Sequence, residues 1–328
     1  MSSLEKQITF GEAVKRGIAE EMRHAETVIM LGEDIGSAGG VFKILVGLRE
    51  EFGDERIIDT PIAEAGYVGL GVGAALTGLR PIVELMFGDF MALAMDQIVN
   101  QAAKLRYMSG GQATVPLTIR ATMGAGRSSA AQHSQSLHAW AAHVPGLKVA
   151  IPSTPTDAIG LLKTAIRDDN PVVVFEDKMM YGIKGPVADV IDPIPFGVAD
   201  IKRAGEDVTI IATSSMVLVA LAAAEELAES GISAEVIDPR TIVPLDSATL
   251  IKSVTKTGHA VIVDEGCQSY GITGELASVI YDGAFDYLDA PIIRIGAMDV
   301  PVPFSKPLED ETIPNEQDVV RAVRQVLG

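Results

Sequence analysis

The chain has 328 residues, 48% of them apolar, which is enough to bury a sizeable core and to build more than one domain. A formal charge of −18, with no Lys/Arg-rich run to offset it, repels phosphate backbones and anionic bilayers and argues against nucleic-acid and membrane partners. The single cysteine, Cys267, excludes an intrachain disulfide and fits a reducing, cytoplasmic compartment.

The N-terminus is polar and carries no signal-peptide pattern, and apolar runs such as 216–224 stop short of the ~20 residues a bilayer span needs, so a soluble protein is expected. Along the chain, 27–31 is a short apolar run, 32–40 is loop-like and 70–79 is a helix of small residues. A strand is expected at 81–87, a helix at 91–108 ending in Ser109-Gly110-Gly111, and a strand at 115–120. The Gly-, Ala- and Ser-rich loop 123–136 is too long to be idle in a compact domain unless it binds something. We expect it to order when a ligand binds. A strand at 149–151, a helix at 155–167 and a nearly all-apolar strand at 171–176 complete a parallel-sheet pattern.

Periodicity loosens over 188–205, which reads as a linker between a first domain, 1–187, and a second, 206–328. Beyond it, strands at 208–212, 234–238 and 259–264 alternate with helices at 216–230 and 246–255. This βαβαβ order predicts an open wound sheet with its loops at the strand C-termini, where Asp238, Asp264 and Glu265 fall. Both domains are therefore α/β, with wound and mostly parallel sheets.

The segment Asp59-Thr60-Pro61-Ile62-Ala63-Glu64 sets one carboxylate at the mouth of the small-residue helix. There Glu64 either complements the helix dipole or, partly desolvated, holds a proton for chemistry. Gly69-x-Gly71-x-x-Ala74 formally matches a dinucleotide fingerprint, but no buried strand directly precedes it, so close helix packing is the better reading. His133, His138 and His143 recur every five residues, which spreads them around a helix and argues against a metal site. His133, among polar neighbours, is either a solvated loop histidine or a proton carrier near neutrality. Phe87 closes a strand and is either core or a ligand platform.

These residues carry a resemblance over essentially the whole chain. Gly32-Glu33-Asp34, Asp59-Thr60-Pro61-Ile62-x-Glu64, Gly78-Leu79-Arg80-Pro81, Tyr107-Met108-Ser109-Gly110-Gly111, Gln132-His133-Ser134-Gln135, Ile166-Arg167-Asp168-Asp169-Asn170-Pro171 and the closing Asp299-Val300-Pro301-Val302-Pro303-Phe304 with Leu308-Glu309-Asp310 match one family. The sequence resembles the beta subunit of the thiamin-diphosphate-dependent component of 2-oxo-acid and acetoin dehydrogenase complexes. The resemblance implies a transketolase pyrimidine-type, thiamin-diphosphate-binding domain followed by a transketolase C-terminal-like domain. It implies that Glu64 bonds the aminopyrimidine ring, that Phe87 stands beside that ring, that His133 handles protons or charge near substrate, and that Tyr107 is a candidate for the pocket wall. Leu117, Ala165, Asp168 and Asn170 match positions that hold a structural monovalent cation, K+, in some relatives, although a plain turn explains 168–171 equally well.

The family's Gly-Asp-Gly…Asn site for Mg2+ and diphosphate is missing, and Gly88-Asp89-Phe90 does not replace it. The resemblance therefore implies an alpha subunit that binds diphosphate and Mg2+ in an α2β2 assembly, with a lipoyl acyltransferase core as acceptor. Segments 119–127, 135–140 and 176–185 look closest to acetoin dehydrogenase beta subunits, with pyruvate dehydrogenase second and branched-chain enzymes third. The rival readings are a catalytically silent interaction subunit of the same fold and a complete single-chain transketolase-like enzyme.

Overall fold

The computed structural model describes residues 6–328; the polar start of the chain on which the signal-peptide reading partly rests lies outside them. The chain divides into two compact units, one of Met1–Met123 with Trp140–Phe196, the other of Gly124–Ala139 with Gly197–Gly328.

In the first unit, strands β1 (Lys6–Thr9), β2 (Val28–Gly32), β3 (Ile57–Asp59), β4 (Arg80–Leu85), β5 (Thr118–Met123), β6 (Lys148–Ala150), β7 (Val172–Asp177) and β8 (Lys184–Val187) alternate with helices. The helices are α1 (Phe10–His24), α2 (Leu48–Phe52), α3 (Glu64–Leu76), α4 (Ala103–Met108), α5 (His138–Ala142), which runs across the division, and α6 (Pro155–Arg167). Six strands form a parallel sheet in the order β6-β7-β5-β4-β2-β3, while β1 pairs antiparallel with β8. The strands β2, β5 and β7 are buried along their whole length, as a sheet covered on both faces requires.

Local chemistry sets the helix starts. Thr9 and Glu12 form a reciprocal capping box on α1, and Thr154 caps α6 with Pro155 in its first turn. On one face, Phe10, Val14, Ile18 and Met22 of α1 pack with Ile159, Leu162 and Ile166 of α6. On the other, α3 approaches so closely that a Cβ on Gly71 would lie 2.6 Å from Val83 Cγ2, the close packing read from its small residues.

Three differences from the sequence expectations have physical causes. Strand β5 starts at Thr118, not 115, because Pro116 has no N–H for a ladder and Leu117 N turns back to Val115 O at 2.8 Å. The helix expected over 91–108 is a 3₁₀ segment (Gly88–Ala94), a π segment (Asp96–Ala102) and only then α4. Its apolar spacing survives, since Met91, Ala94, Ile98 and Ala102 are all buried, but the backbone bonds change partner to follow that face. The stretch 188–205, read as linker, includes a strand at Asp200–Arg203.

The second unit contains β9 (Asp200–Arg203), β10 (Val208–Ala212), β11 (Ala234–Asp238), β12 (Thr241–Val243), β13 (Ala260–Cys267) and β14 (Ile293–Ala297). Its longer helices are α7 (Met216–Glu229), α8 (Ser247–Thr257) and α9 (Ile272–Ala284), followed by the short α10 (Lys306–Asp310) and by α11 (Glu316–Leu327). The sheet order is β14-β13-β10-β11-β9, parallel except for β9, whose ladder with β11 shifts register between Val236 and Ile237. That irregularity explains why 200–203 shows no clean alternation. Helices α7 and α11 cover one face through Ala220, Ala224, Leu227, Val319 and Val323, and α8 and α9 the other through Leu250, Val254, Leu276 and Ile280. No helix among the described residues is long and apolar enough to cross a membrane.

Gly146 tests this packing. Its φ is +103° and a Cβ there would stand 2.1 Å from the Ala103 carbonyl oxygen. Gly146→Ala should lower stability by about 1–3 kcal/mol from backbone strain alone, with the clash added, read as a fall in denaturation midpoint. An unchanged midpoint would show that the backbone there yields.

Candidate functional site

In the first unit, polar side chains gather at the C-terminal ends of the central strands. Helix α3 begins at Glu64 without a side-chain cap, and this carboxylate, only 6% exposed, lies in its first turn, where the helix dipole favours an acid. Glu33, directly after β2, is 5% exposed, and its Oε1 is buried without a hydrogen-bond partner. Gly32 lets this corner close, since a Cβ there would meet Ile35 Cγ2 at 2.9 Å and Glu84 Cβ at 3.1 Å. Burial, and then the charges of Glu64 and Asp34, push the Glu33 carboxyl above the usual carboxylate range, against a hydrogen bond from Tyr67. Burial and the charges of Glu33, Glu64 and Glu84 likewise raise the Tyr67 hydroxyl, which stays a neutral donor. Glu33 therefore carries a raised affinity for protons next to the buried Glu64.

Beside this pair, Arg120 on β5 is 2% exposed. Strand register sets it opposite Glu84 of β4 and diagonal to Glu176 of β7. It donates to Glu176 from Nε at 2.8 Å and Nη2 at 2.7 Å, and to Glu84 from Nη1. Tyr181 donates its hydroxyl to Glu176 at 2.8 Å, and its ring lies 5.3 Å from Phe42, which packs edge-on at 5.6 Å against half-buried Phe87. Lys178 Nζ lies 5.8 Å from the Phe87 ring centre. Phe87 thus belongs to an aromatic cluster, Phe42-Phe87-Phe90, and still has partial exposure.

Other expected residues lie elsewhere. Tyr107 stands within the last turn of α4, not past the helix end, and is 88% exposed, because Ser109 N still bonds to Leu105 O. Leu117, Ala165, Asp168 and Asn170 share a corner: Val172 N donates to Leu117 O, Asp168 N to Ala165 O, and Arg80 Nη1 to Asp168 O. The Asp168 carboxylate accepts from Asn170 N and Nδ2 at 2.9 Å and from Lys148, so two cationic side chains already stand at this corner.

In the second unit, the loop 124–137 is fastened by carboxylates. Glu265 accepts from Ala125 N at 2.6 Å, and Glu309 accepts from Gly126 N at 2.8 Å and from Ser128 N at 2.9 and 3.2 Å. His133 closes a 3₁₀ turn, Ala131–His133, inside the loop. His138, fully buried, bonds through Nε2 to Asp264 at 3.0 Å. The histidines therefore do not share one helix: 133 is in the loop turn and 138 opens α5. Burial pushes Asp264 up, but His138, the Thr213 hydroxyl and the Gly266 N–H outweigh it and hold the carboxyl below its ordinary value. A cleft of about 860 Å³ borders the loop at Gln132, Ser134 and Gln135, with Glu265, Cys267 and Asp299 on its opposite wall. The Ser134 and Ser136 hydroxyls are buried there without partners. Sequence reasoning passed over Glu33, Arg120 and Glu309 as site residues; their only signal was membership in the matched segments.

A parallel α/β unit with buried acids beyond its strand ends, followed by a second wound sheet, is the architecture of transketolase-type proteins. Residues 6–184 match the transketolase pyrimidine-binding domain and residues 197–319 the transketolase C-terminal domain. The chain is 47% identical to the beta subunit of acetoin:2,6-dichlorophenolindophenol oxidoreductase of Bacillus subtilis, covering 98% of this chain and 97% of that one. It is 50% identical to the beta subunit of the pyruvate dehydrogenase E1 component of Rickettsia felis, covering 98% of each. A solved split-gene transketolase, an inactive beta4 tetramer, superposes with a TM-score of 0.80 at 24% identity over 98% of each chain and shares the fold. The chain belongs to the family of acetoin and pyruvate dehydrogenase beta subunits.

Two outcomes follow from the first-unit site. Arg120→Met leaves Glu84 and Glu176 buried without their counter-charge and should cost about 3–5 kcal/mol in a denaturant titration. Because the folded-state pKa of Glu33 is raised, its ionisation opposes folding: stability falls as pH rises from the unfolded value towards the folded one, and the loss persists above it. Glu33→Gln should therefore raise the melting temperature at about pH 8 and leave it nearly unchanged at about pH 4, where the carboxyl is largely protonated in both states. Equal shifts at the two pH values would contradict the burial argument.

Proposed function

We propose that the chain is the beta subunit of a cytoplasmic thiamin-diphosphate-dependent dehydrogenase component, active only with an alpha subunit in an α2β2 heterotetramer. Its substrate is acetoin, with pyruvate next and branched 2-oxo acids third, and it passes the acyl or hydroxyalkyl group to a lipoyl acyltransferase core. The domains are 1–187 and 206–328, joined through 188–205. The observation that carries the reading is Glu64: a buried carboxylate in the first turn of α3, coupled to a second acid that favours its proton.

These residues fit the cofactor. The buried, unpartnered Glu33 Oε1 marks a corner built around a proton, and Phe87 keeps an exposed part of its ring. Thiamin diphosphate, when bound, supplies the carbanion-stabilising chemistry. Glu64 would hydrogen-bond the aminopyrimidine ring and set its protonation, with the buried Glu33 next to it, and Phe87 would stand beside the ring. His133 handles protons or charge near substrate, and Tyr107 borders the pocket from its exposed helix turn. Diphosphate and Mg2+ fall to the alpha subunit, since the chain lacks a Gly-Asp-Gly…Asn site. A K+ ion at Leu117, Ala165, Asp168 and Asn170 belongs to the same proposal, the carbonyls of Leu117, Ala165 and Asp168 each keeping a second lone pair beside the hydrogen bond it accepts.

Co-expression with the alpha subunit encoded nearest to it, followed by thiamin-diphosphate-dependent dye reduction with acetoin, pyruvate and branched 2-oxo acids side by side, tests the reading. Acetoin turnover supports it, exclusive 2-oxo-acid turnover replaces the substrate, and a well-formed but inactive tetramer favours the interaction subunit. Glu64→Gln should abolish turnover and leave assembly intact; retained activity would remove Glu64 from the mechanism.

A further inference from the structure

We propose that Glu309 is a positioning residue for His133, holding the loop 124–137 in one conformation before any ligand arrives; this rests on the functional reading above. Glu309 is fully buried and forms no ion pair among the described residues. Its carboxylate is instead satisfied by loop amides: Oε1 accepts from Gly126 N at 2.8 Å and Ser128 N at 3.2 Å, and Oε2 accepts from Ser128 N at 2.9 Å and Ser128 Oγ at 3.4 Å. The carboxylate is fixed from behind, because Glu309 N donates to Ser305 O at 2.8 Å while Thr312 N and Oγ1 both donate to Glu309 O, at 3.0 and 2.7 Å.

A buried carboxylate without a cation is costly, and a turn needing only bulk would be filled by an apolar side chain. What the carboxylate adds is a demand on geometry, since it must receive converging N–H donors. The loop meets that demand in a backbone that L-residues avoid. Ser128 has φ 51° and Ala130 has φ 60° with ψ −176°, between the positive-φ Gly124 and Gly126 and the His133 turn. Such a conformation persists only where its surroundings over-determine it. The second carboxylate, Glu265, takes Ala125 N at 2.6 Å, and the far end is held by the His138–Asp264 bond at 3.0 Å. Residues 129–137, with Gln132 and His133, are thus a strap between two anchors, and His133 N closes its turn on Ala130 O, immediately past the strained segment. The amides of Ala125, Gly126 and Ser128 are thus bonded to carboxylates within the fold itself.

The test is a double-mutant cycle in the alpha–beta holoenzyme loaded with thiamin diphosphate and Mg2+, using Glu309→Ala, Glu309→Gln, His133→Ala and the double variant Glu309→Ala/His133→Ala, with hydrogen exchange of 124–137 measured on each tetramer. Glu309→Ala should lower kcat at least tenfold with KM within twofold and speed exchange at 125–133, while β10 and β13 keep their protection. It should cost nothing further in the His133→Ala background, because the two residues act through one element. Glu309→Gln, which keeps one carbonyl acceptor, should fall between, and it carries the cycle if the alanine variant does not assemble. Losses that multiply in the double variant, or a Glu309→Ala enzyme within twofold of the parent, would overturn the proposal. If the parent turns over none of the three substrates, the functional reading fails separately. The clamp is then judged by exchange alone: faster exchange at 125–133 in Glu309→Ala keeps it, and unchanged exchange refutes it.

Discussion

In a parallel sheet covered on both faces, polar side chains gather most readily near the carboxyl ends of the strands, where the sheet opens into loops. The acids of the candidate site follow that preference in both units, while Glu235 near the start of β11 is buried with Lys256 as its counter-charge. Glu33 follows β2, Glu84 is the penultimate residue of β4, Arg120 sits in β5 and Glu176 is the penultimate residue of β7. In the second unit Asp238 closes β11, and Asp264 and Glu265 lie in the last part of β13. Because neighbouring strands run in register, side chains distant in sequence become cross-strand partners, as Glu84 and Arg120 are. The buried arginine then solves a problem created by the same geometry: the carboxylates of β4 and β7, on either side of β5, would be left buried without a counter-charge if it were absent.

The carboxylates divide by what balances them. Glu84 and Glu176 share Arg120, which fixes their positions. Glu265 and Glu309 are balanced by backbone N–H groups, so their charge becomes a constraint on the chain path. Glu33 and Glu64 have neither arrangement. They stand close enough for the charge of Glu64 to raise the Glu33 carboxyl, and one Glu33 oxygen lacks any partner. Glu33 thus combines a raised carboxyl with a buried oxygen that lacks a partner.

Much of this was legible in the sequence because it depends on local pattern. The all-apolar run of β7, the βαβαβ order of the second unit and the small-residue face of α3 are short-range signals, and the structure reproduces them. Glu64 was readable for the same reason: an acid directly before a helix of small residues has few places to be. The end of the chain was also readable but went unread, since Asn315 and Asp318 form a reciprocal capping box that announces α11. Strands β3 and β6 are too short to show a period, and the β9 ladder is broken by its register shift.

What stayed hidden depends on pairing across long sequence distance. His138 looked like one of three evenly spaced histidines, yet its environment is set by Asp264, 126 residues away, and it is wholly buried. Glu309 looked like part of a closing motif, yet its partners are the amides of Gly126 and Ser128, 183 and 181 residues earlier. No periodicity within a window can reveal such a bond, because the information lies in which strand ends the fold brings together. The sequence therefore exposes the acid that faces its own helix, while the residues that hold the histidine loop become visible only once the second sheet is assembled. A loop of glycine, alanine and serine reads as flexible by composition alone. In the fold, buried carboxylates 140 and more residues away accept from its amides at Ala125, Gly126 and Ser128, so the path of this stretch depends on distant charge as well as on local propensity.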